Sequence, residues 1–134
     1  MADFFSNKAS DNYRIMRSLR LYQLADATYN IIRIPRYSFV SNLVLDIRTA
    51  YTGTGAVTVG FSGNGETADA DGFLDAAAAA ATSTGTKTML GDAQPGSKGK
   101  WFDSASGMVT ITVAKGDGSA VLDAYVFVEY CVIH

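Results

Sequence analysis

All thirteen glycines of this chain lie after residue 52, and that placement limits its fold more than any other feature. Glycine is the residue that most easily enters the positive-φ conformations of tight turns. The first 52 residues therefore offer few places for such turns, which suits an arm followed by long strands. After residue 52 the glycines divide the chain into short segments, as in an antiparallel β protein.

Within these segments, apolar and polar residues alternate with the period of a β-strand. Residues 28–34 predict a strand ending at Pro35, which marks a sheet edge or a turn because proline cannot donate to the ladder. The alternation in residues 38–51 slips by one near Ser41 and Asn42, which predicts a bulge there. Further strands are predicted at residues 56–61, 86–90, 100–102, 108–114 and 120–133.

The last of these strands is apolar on both faces, so we expect it to be central and partly covered by a neighbouring subunit or element. Residues 14–25 fit a helix or a strand, and the β-rich surroundings favour a strand from about Leu19. Residues 51–55 have the composition of a hairpin turn, and residues 115–118 that of a tight turn built on an Asp-Gly pair. Seven or eight short strands, one helix and no βαβ rhythm predict an all-β fold, a two-sheet antiparallel sandwich of jelly-roll type.

The N-terminal part of the chain is basic, and the rest of the chain is acidic. Residues 1–36 carry six Arg or Lys against three Asp, whereas the remainder carries five against ten Asp or Glu. We therefore predict an N-terminal arm at residues 1–18 in front of a domain at residues 19–134, with the arm serving as a contact surface. The net charge of −2 argues against a nucleic-acid partner. No secretory signal or membrane span is expected, so the protein is predicted to fold in the cytosol.

The stretch GFSGNGETADADGFLDAAAAAA, residues 60–81, invites three functional interpretations. A dinucleotide loop is disfavoured because carboxylates stand where phosphate would bind and no βαβ unit follows. The evidence for a calcium-binding loop within residues 66–75 is weak, because the bidentate glutamate of such loops is absent. We favour an acidic turn followed by a two-turn helix that starts at Asp71 or Gly72 and covers the sandwich through Phe73 and Leu74.

The sequence offers few residues that could form a catalytic or metal site, and no cofactor is expected. The only histidine is the terminal His134, and Cys131, three residues away, would point to the opposite strand face. Cys131 is predicted to be a small buried apolar residue, and zinc is disfavoured without a second histidine. Trp101, flanked by loops, is the best candidate for an exposed aromatic anchor.

The order of segments resembles the small virion-surface proteins of tailed bacteriophages, found as capsid decoration (cement) proteins or head-fibre bases. The similar segments are RIPRYSFVSNLVLDIRTAY, TGTGAVTVGF, DADGFLD, GKWF, VTITVA and VFVEY, and the resemblance covers roughly residues 19–134. The resemblance implies a jelly roll without catalytic residues, which assembles as a homotrimer on the virion and clamps adjacent subunits of a major capsid protein. The matching contact residues are Phe4, Phe5, Arg14, Arg17 and Arg20 of the arm, with Trp101 as a further candidate.

A second hypothesis is a binding module on a tail or fibre that recognises host polysaccharide. Trp101 and several of the seven tyrosines would then be exposed. The two hypotheses share a fold and differ in the partner of the exposed aromatic surface.

Overall fold

The computed structural model describes residues 13–22, 25, 27–90, 94, 96–116 and 120–132. Its elements, in chain order, are β1 (Tyr13–Arg17), β2 (Leu21–Tyr22), β3 (Ala27–Ile34), β4 (Ser38–Thr49), β5 (Val57–Gly63), β6 (Glu66–Leu74), α1 (Ala76–Ala79), β7 (Gly85–Thr88), β8 (Lys100–Phe102), β9 (Val109–Lys115) and β10 (Asp123–Val132). No helix among these residues is long and apolar enough to cross a bilayer.

The strands form two antiparallel sheets. The larger has the order β1-β10-β4-β7, with β2 also on β10 and β8 also on β4; the smaller has the order β3-β9-β5-β6. The pairs are nested along the chain: β5 with β6, β4 with β7 and β8, β3 with β9, and β1 and β2 with β10. This is one long hairpin wound into two sheets, which is the topology of a jelly roll. The predicted fold class is confirmed.

The core lies between the two sheets, where the inward residues of each strand meet. Phe61, Phe73 and Phe102 stand edge to face at its centre, with ring centroids 5.3–6.4 Å apart. Such pairs contribute roughly 0.5–1.5 kcal/mol each beyond the area that they bury. Val126 and Val128 of β10 complete the opposite wall and are fully buried.

Several strand predictions are confirmed. β3 is an edge strand that ends before Pro35, and β10 is central, between β1 and β4. In β4, Val40 pairs with Tyr130 and Asn42 with Glu129, so Ser41 is the extra residue of the predicted bulge. The Ser41 hydroxyl lies 3.0 Å from Oε1 of Glu129.

The turn prediction for residues 51–55 is wrong. This connection leads from β4 in the large sheet to β5 in the small one, so it does not join paired strands and is not a hairpin. The predicted tight turn at residues 115–118 falls between β9 and β10. Residues 117–119 lie outside the described part of the chain.

The helix prediction for residues 71–81 is corrected. Residues 66–74, including the predicted helix start at Asp71 and Gly72, form strand β6, and α1 is a single turn. Asp75 caps that turn by accepting from the backbone N–H of Ala78 at 2.8 Å, and Ala80 ends it with a left-handed φ of 39°. Phe73 and Leu74 are fully buried, as expected, but as strand residues.

Candidate interaction surfaces

β1 places Arg14 and Arg17 on an edge of the large sheet. Residues 14–18 belong to the predicted arm, with a strand expected only from about Leu19, but β1 pairs with β10 throughout its length, from Tyr13 opposite Cys131 to Arg17 opposite Phe127. Ser18 anchors its end, because its N–H donates to Val126 O at 2.8 Å and its Oγ accepts from Val126 N at 2.9 Å. The first two candidate arginines therefore lie on a fixed strand.

The outward edge of β1 is apolar as well as basic. No strand pairs with this edge in the part of the chain that the structure describes. Ile15 is 69% exposed and Leu19 is 85% exposed. The Arg17 guanidinium lies 5.1 Å from the centre of the Tyr125 ring, which holds its charge against the sheet. An unpaired edge with large apolar side chains is a feature that proteins usually cover.

Arg20 differs from Arg14 and Arg17, because its guanidinium forms an ion pair with Asp123 of the same chain. Its Nε and one Nη donate to the two carboxylate oxygens of Asp123 at 2.9 Å each, and Thr49 Oγ1 donates to the same carboxylate at 3.1 Å. These bonds hold the pKa of the buried Asp123 carboxyl below its usual value. The guanidinium also lies 4.5 Å from the Tyr22 ring centre. This geometry ties the connection between β1 and β2 to β10.

The outer face of the large sheet carries an apolar row. Phe39 of β4 is opposite Trp101 of β8, with ring centroids 4.8 Å apart, and Cys131 of β10 lies on the other side of Phe39. Phe127 is opposite Val44 in a second row. All of these residues are partly accessible, and Trp101 is 50% exposed. The predicted exposure of Trp101 is therefore confirmed, whereas Cys131, predicted to be buried, is partly exposed.

The predicted acidic turn is a second charged edge. β6 forms the edge of the small sheet and carries Glu66, Asp69 and Asp71. Glu66 lies 3.4 Å from Lys100 Nζ. A hydrogen bond with Asp69 and the repulsion between the two carboxyls raise the pKa of Asp71. Within the described residues, no three His, Cys, Asp or Glu side chains are arranged to hold a metal ion.

The remaining predicted site residues lie outside the described part of the chain. Phe4 and Phe5 belong to residues 1–12, and His134 belongs to residues 133–134. The tyrosines required by the polysaccharide hypothesis differ in their exposure to solvent. Tyr22 is exposed, whereas Tyr51 and Tyr130 are buried.

The comparisons with known proteins identify the fold. No protein-family model matches the sequence, and no curated protein is significantly similar to it. A chain of the acid-stable capsid structure of Helicobacter pylori bacteriophage KHP30 aligns with a TM-score of 0.57 at 17% identity, over 92% of this chain and 90% of that chain. A chain of the cyanophage Pam1 capsid aligns with a TM-score of 0.58 at 14% identity, over 98% and 94%. The resemblance to phage virion proteins that the sequence suggests therefore agrees with the fold of these two capsid chains.

Proposed function

We propose that this chain is a structural protein of a bacteriophage virion, a decoration (cement) protein that binds across adjacent major capsid subunits as a homotrimer. The observation that carries the proposal is the likeness of the whole jelly roll to chains in two phage capsid structures. The alignments cover at least 90% of both partners in each case, so the likeness extends beyond a shared sandwich core.

The surface chemistry supports a role in assembly. The outer face of the large sheet presents Phe39, Trp101, Val44 and Phe127, which a second protein could cover. A cement protein acts by burying surface at subunit junctions, and apolar sheet faces with aromatic side chains are typical of such contacts. We assign the capsid contact to this face and to Phe4 and Phe5 of residues 1–12, with the charged edges left for contacts between copies.

The test is rebinding to particles that lack the protein. Purified protein should bind them and raise their melting temperature, as measured by differential scanning calorimetry. Trp101→Ala should weaken rebinding by roughly tenfold or more, the behaviour of an anchor residue. The isolated protein should lose little stability, since half of the indole is already exposed to solvent.

The control variant is Met108→Ala, because Met108 is also exposed but lies beside the β5–β6 turn of the small sheet, where Asn64 N donates to its carbonyl oxygen. It should rebind like the wild type. Failure of the wild-type protein to bind any particle surface would overturn the capsid role.

Recognition of host polysaccharide is the second candidate, favoured by the exposure of Trp101 above the Phe39 ring. An aromatic face of this kind can stack on a sugar ring. A glycan array distinguishes the two: binding that Trp101→Ala abolishes, without any affinity for particles, would replace the first proposal by this one.

A further inference from the structure

The two charged edges lie on opposite sides of the sandwich. β1 and β2 pair with the same side of β10, and β3, the next strand along the chain, is an edge of the small sheet. β6 is the other edge of the small sheet, and the chain passes through α1 to β7 at the far edge of the large one. The ion pair between Glu66 on β6 and Lys100 on β8 joins the sheets on that far side. A basic side and an acidic side therefore face away from each other.

The basic side combines charge with apolar surface. The five residues of β1 include two arginines and no acidic residue. Arg14 and Arg17 are exposed and lie on opposite faces of β1, and the exposed Ile15 shares the face of Arg17. Leu19 continues the apolar surface beside a groove of about 220 Å³ that Leu21, Tyr29 and Ile31 help to line. One molecule thus presents positive charge around an uncovered hydrophobic strip.

The acidic side has the complementary composition. β6 contains three acidic residues and no basic one. Asp69 and Asp71 repel each other, and no cation neutralises either of them among the described residues. The small exposed side chains of Ala68 and Ala70 separate the carboxylates. A neighbouring guanidinium would relieve the repulsion.

We infer that the β1 edge of one copy docks against the β6 edge of the next copy, with Arg14 and Arg17, one on each face of β1, meeting the carboxylates of Asp69 and Asp71 along that edge. This inference deepens the oligomeric part of the proposed function and names its interface. The partner is a second copy of this chain because both complementary surfaces are present on one molecule.

The inferred contact uses side chains rather than continuous strand pairing. The register of β6 on β5 slips twice, between Val59 and Phe61 and again between Phe61 and Gly63. Such irregularities distort the outer row of N–H and C=O groups and oppose strand addition. Because the contact joins two different surfaces, it is head to tail, and it forms a closed ring when the rotation between copies closes.

Charge reversal tests the interface. Arg14→Glu/Arg17→Glu gives a molecule with two acidic edges, and Asp69→Lys/Asp71→Lys gives one with two basic edges. Each should associate at least roughly tenfold more weakly than the wild type, because like charges then meet at every contact. The chain with all four substitutions has the wild-type net charge of −2 and inverted complementary edges, so it should regain oligomers.

Sedimentation velocity at about 50 mM and about 500 mM NaCl provides the measurement, and the wild-type oligomer should weaken at the higher salt. Arg36→Glu/Lys87→Glu is the control, since it makes the same change in net charge at residues outside β1 and β6. Thermal melts identify any variant that fails to fold, in which case Arg14→Ala/Arg17→Ala and Asp69→Asn/Asp71→Asn replace the reversals.

The outcomes are decisive. Reversed variants that associate like the wild type, or a fourfold variant that stays monomeric while folded, would overturn the inference. Oligomers that dissociate in EDTA would assign Asp69 and Asp71 to a bound cation instead. A monomeric wild type that still binds capsids, and loses that binding in Asp69→Lys/Asp71→Lys, would assign the acidic edge to the capsid. The capsid role would then stand and only the inferred contact between copies would fail.

Discussion

At the scale of single residues, the structure depends on a few polar side chains with several partners each. Asn64 is buried at a left-handed φ of 55°, and its Nδ2 donates to the carbonyls of Ser104 and Gly107 at 2.9 and 2.8 Å. With Gly65 at φ 70° it forms the two-residue turn between β5 and β6. An Asn-Gly pair between strands is the strongest short-range signal of a hairpin. Here the pair lies within residues 60–81, for which the sequence pattern favours an acidic turn and a helix.

Asp123 supports a prediction about pH. Asp123→Asn removes a charge-assisted acceptor for Arg20 and a bond from Thr49, so we expect it to lower the free energy of unfolding by about 2 kcal/mol at pH 7. The folded-state pKa of Asp123 is lowered. Its stabilising contribution is therefore complete above the unfolded-state pKa of about 4 and is lost as the pH falls through the folded-state value.

Urea denaturation at several pH values checks this expectation. The difference in stability between the wild type and Asp123→Asn should shrink below about pH 4. Thr49→Val is the control that removes one neutral donor from the same carboxylate, and it should cost about 1 kcal/mol. A stability difference for Asp123→Asn that is unchanged between pH 7 and pH 3 would contradict the assignment.

At the scale of elements, the N-terminal arm divides into two parts that can be tested separately. Deleting residues 1–12 leaves every contact described above in place. Deleting residues 1–18 also removes β1 and the two hydrogen bonds between Ser18 and Val126. We expect the longer deletion to lower the free energy of unfolding by at least about 2 kcal/mol and the shorter one by less than about 0.5 kcal/mol.

Rebinding to particles provides the functional half of this prediction. The shorter deletion should weaken capsid attachment, since it removes Phe4 and Phe5 and keeps β1. Full attachment after this deletion would eliminate the arm as a capsid contact. Equal loss of stability in the two deletions would show that residues 1–12 belong to the fold itself.

Strand positions could be predicted from sequence where the alternation is local. The bulge at Ser41 shows in the pattern because the apolar residues of β4 change phase there. β6 was missed because its outward side chains are carboxylates and alanines, so no apolar alternation marks it as a strand. Alanine propensity then favoured a helix, and pairing with β5 overrode it.

The candidate surfaces were predictable only in part, because they depend on contacts between distant segments. Trp101 was expected to be exposed from its loop-flanked position, but its contact with Phe39 depends on the pairing of β8 with β4. Likewise, turn composition at residues 51–55 indicates a change of direction without indicating which sheet receives the next strand. The stacking of Arg17 on Tyr125 and the ion pair of Arg20 with Asp123 depend on the pairing of the two ends of the described chain.

At the scale of the whole molecule, the nested topology suggests an order of folding. The β5–β6 hairpin closes over the two residues Asn64 and Gly65, whereas Ser18 and Val126 must meet across 108 residues of chain. Closing long loops costs more entropy than closing short ones, and folds dominated by distant pairs fold slowly, over milliseconds to seconds. We therefore expect the hairpin to form early and the β1–β10 pairing to form late.

Stopped-flow kinetics on two variants tests that order. Asn64→Ala weakens the β5–β6 turn and its bonds to residues 104 and 107, so it should mainly slow folding, with a φ-value above about 0.5. Asp123→Asn acts at the outermost pair, so it should mainly speed unfolding, with a φ-value near zero. Asn64→Gly tolerates the positive φ while losing the same side-chain bonds, and comparison with Asn64→Ala separates turn strain from lost hydrogen bonds. The reverse assignment of φ-values would mean that the two ends of the chain pair before the central hairpin closes.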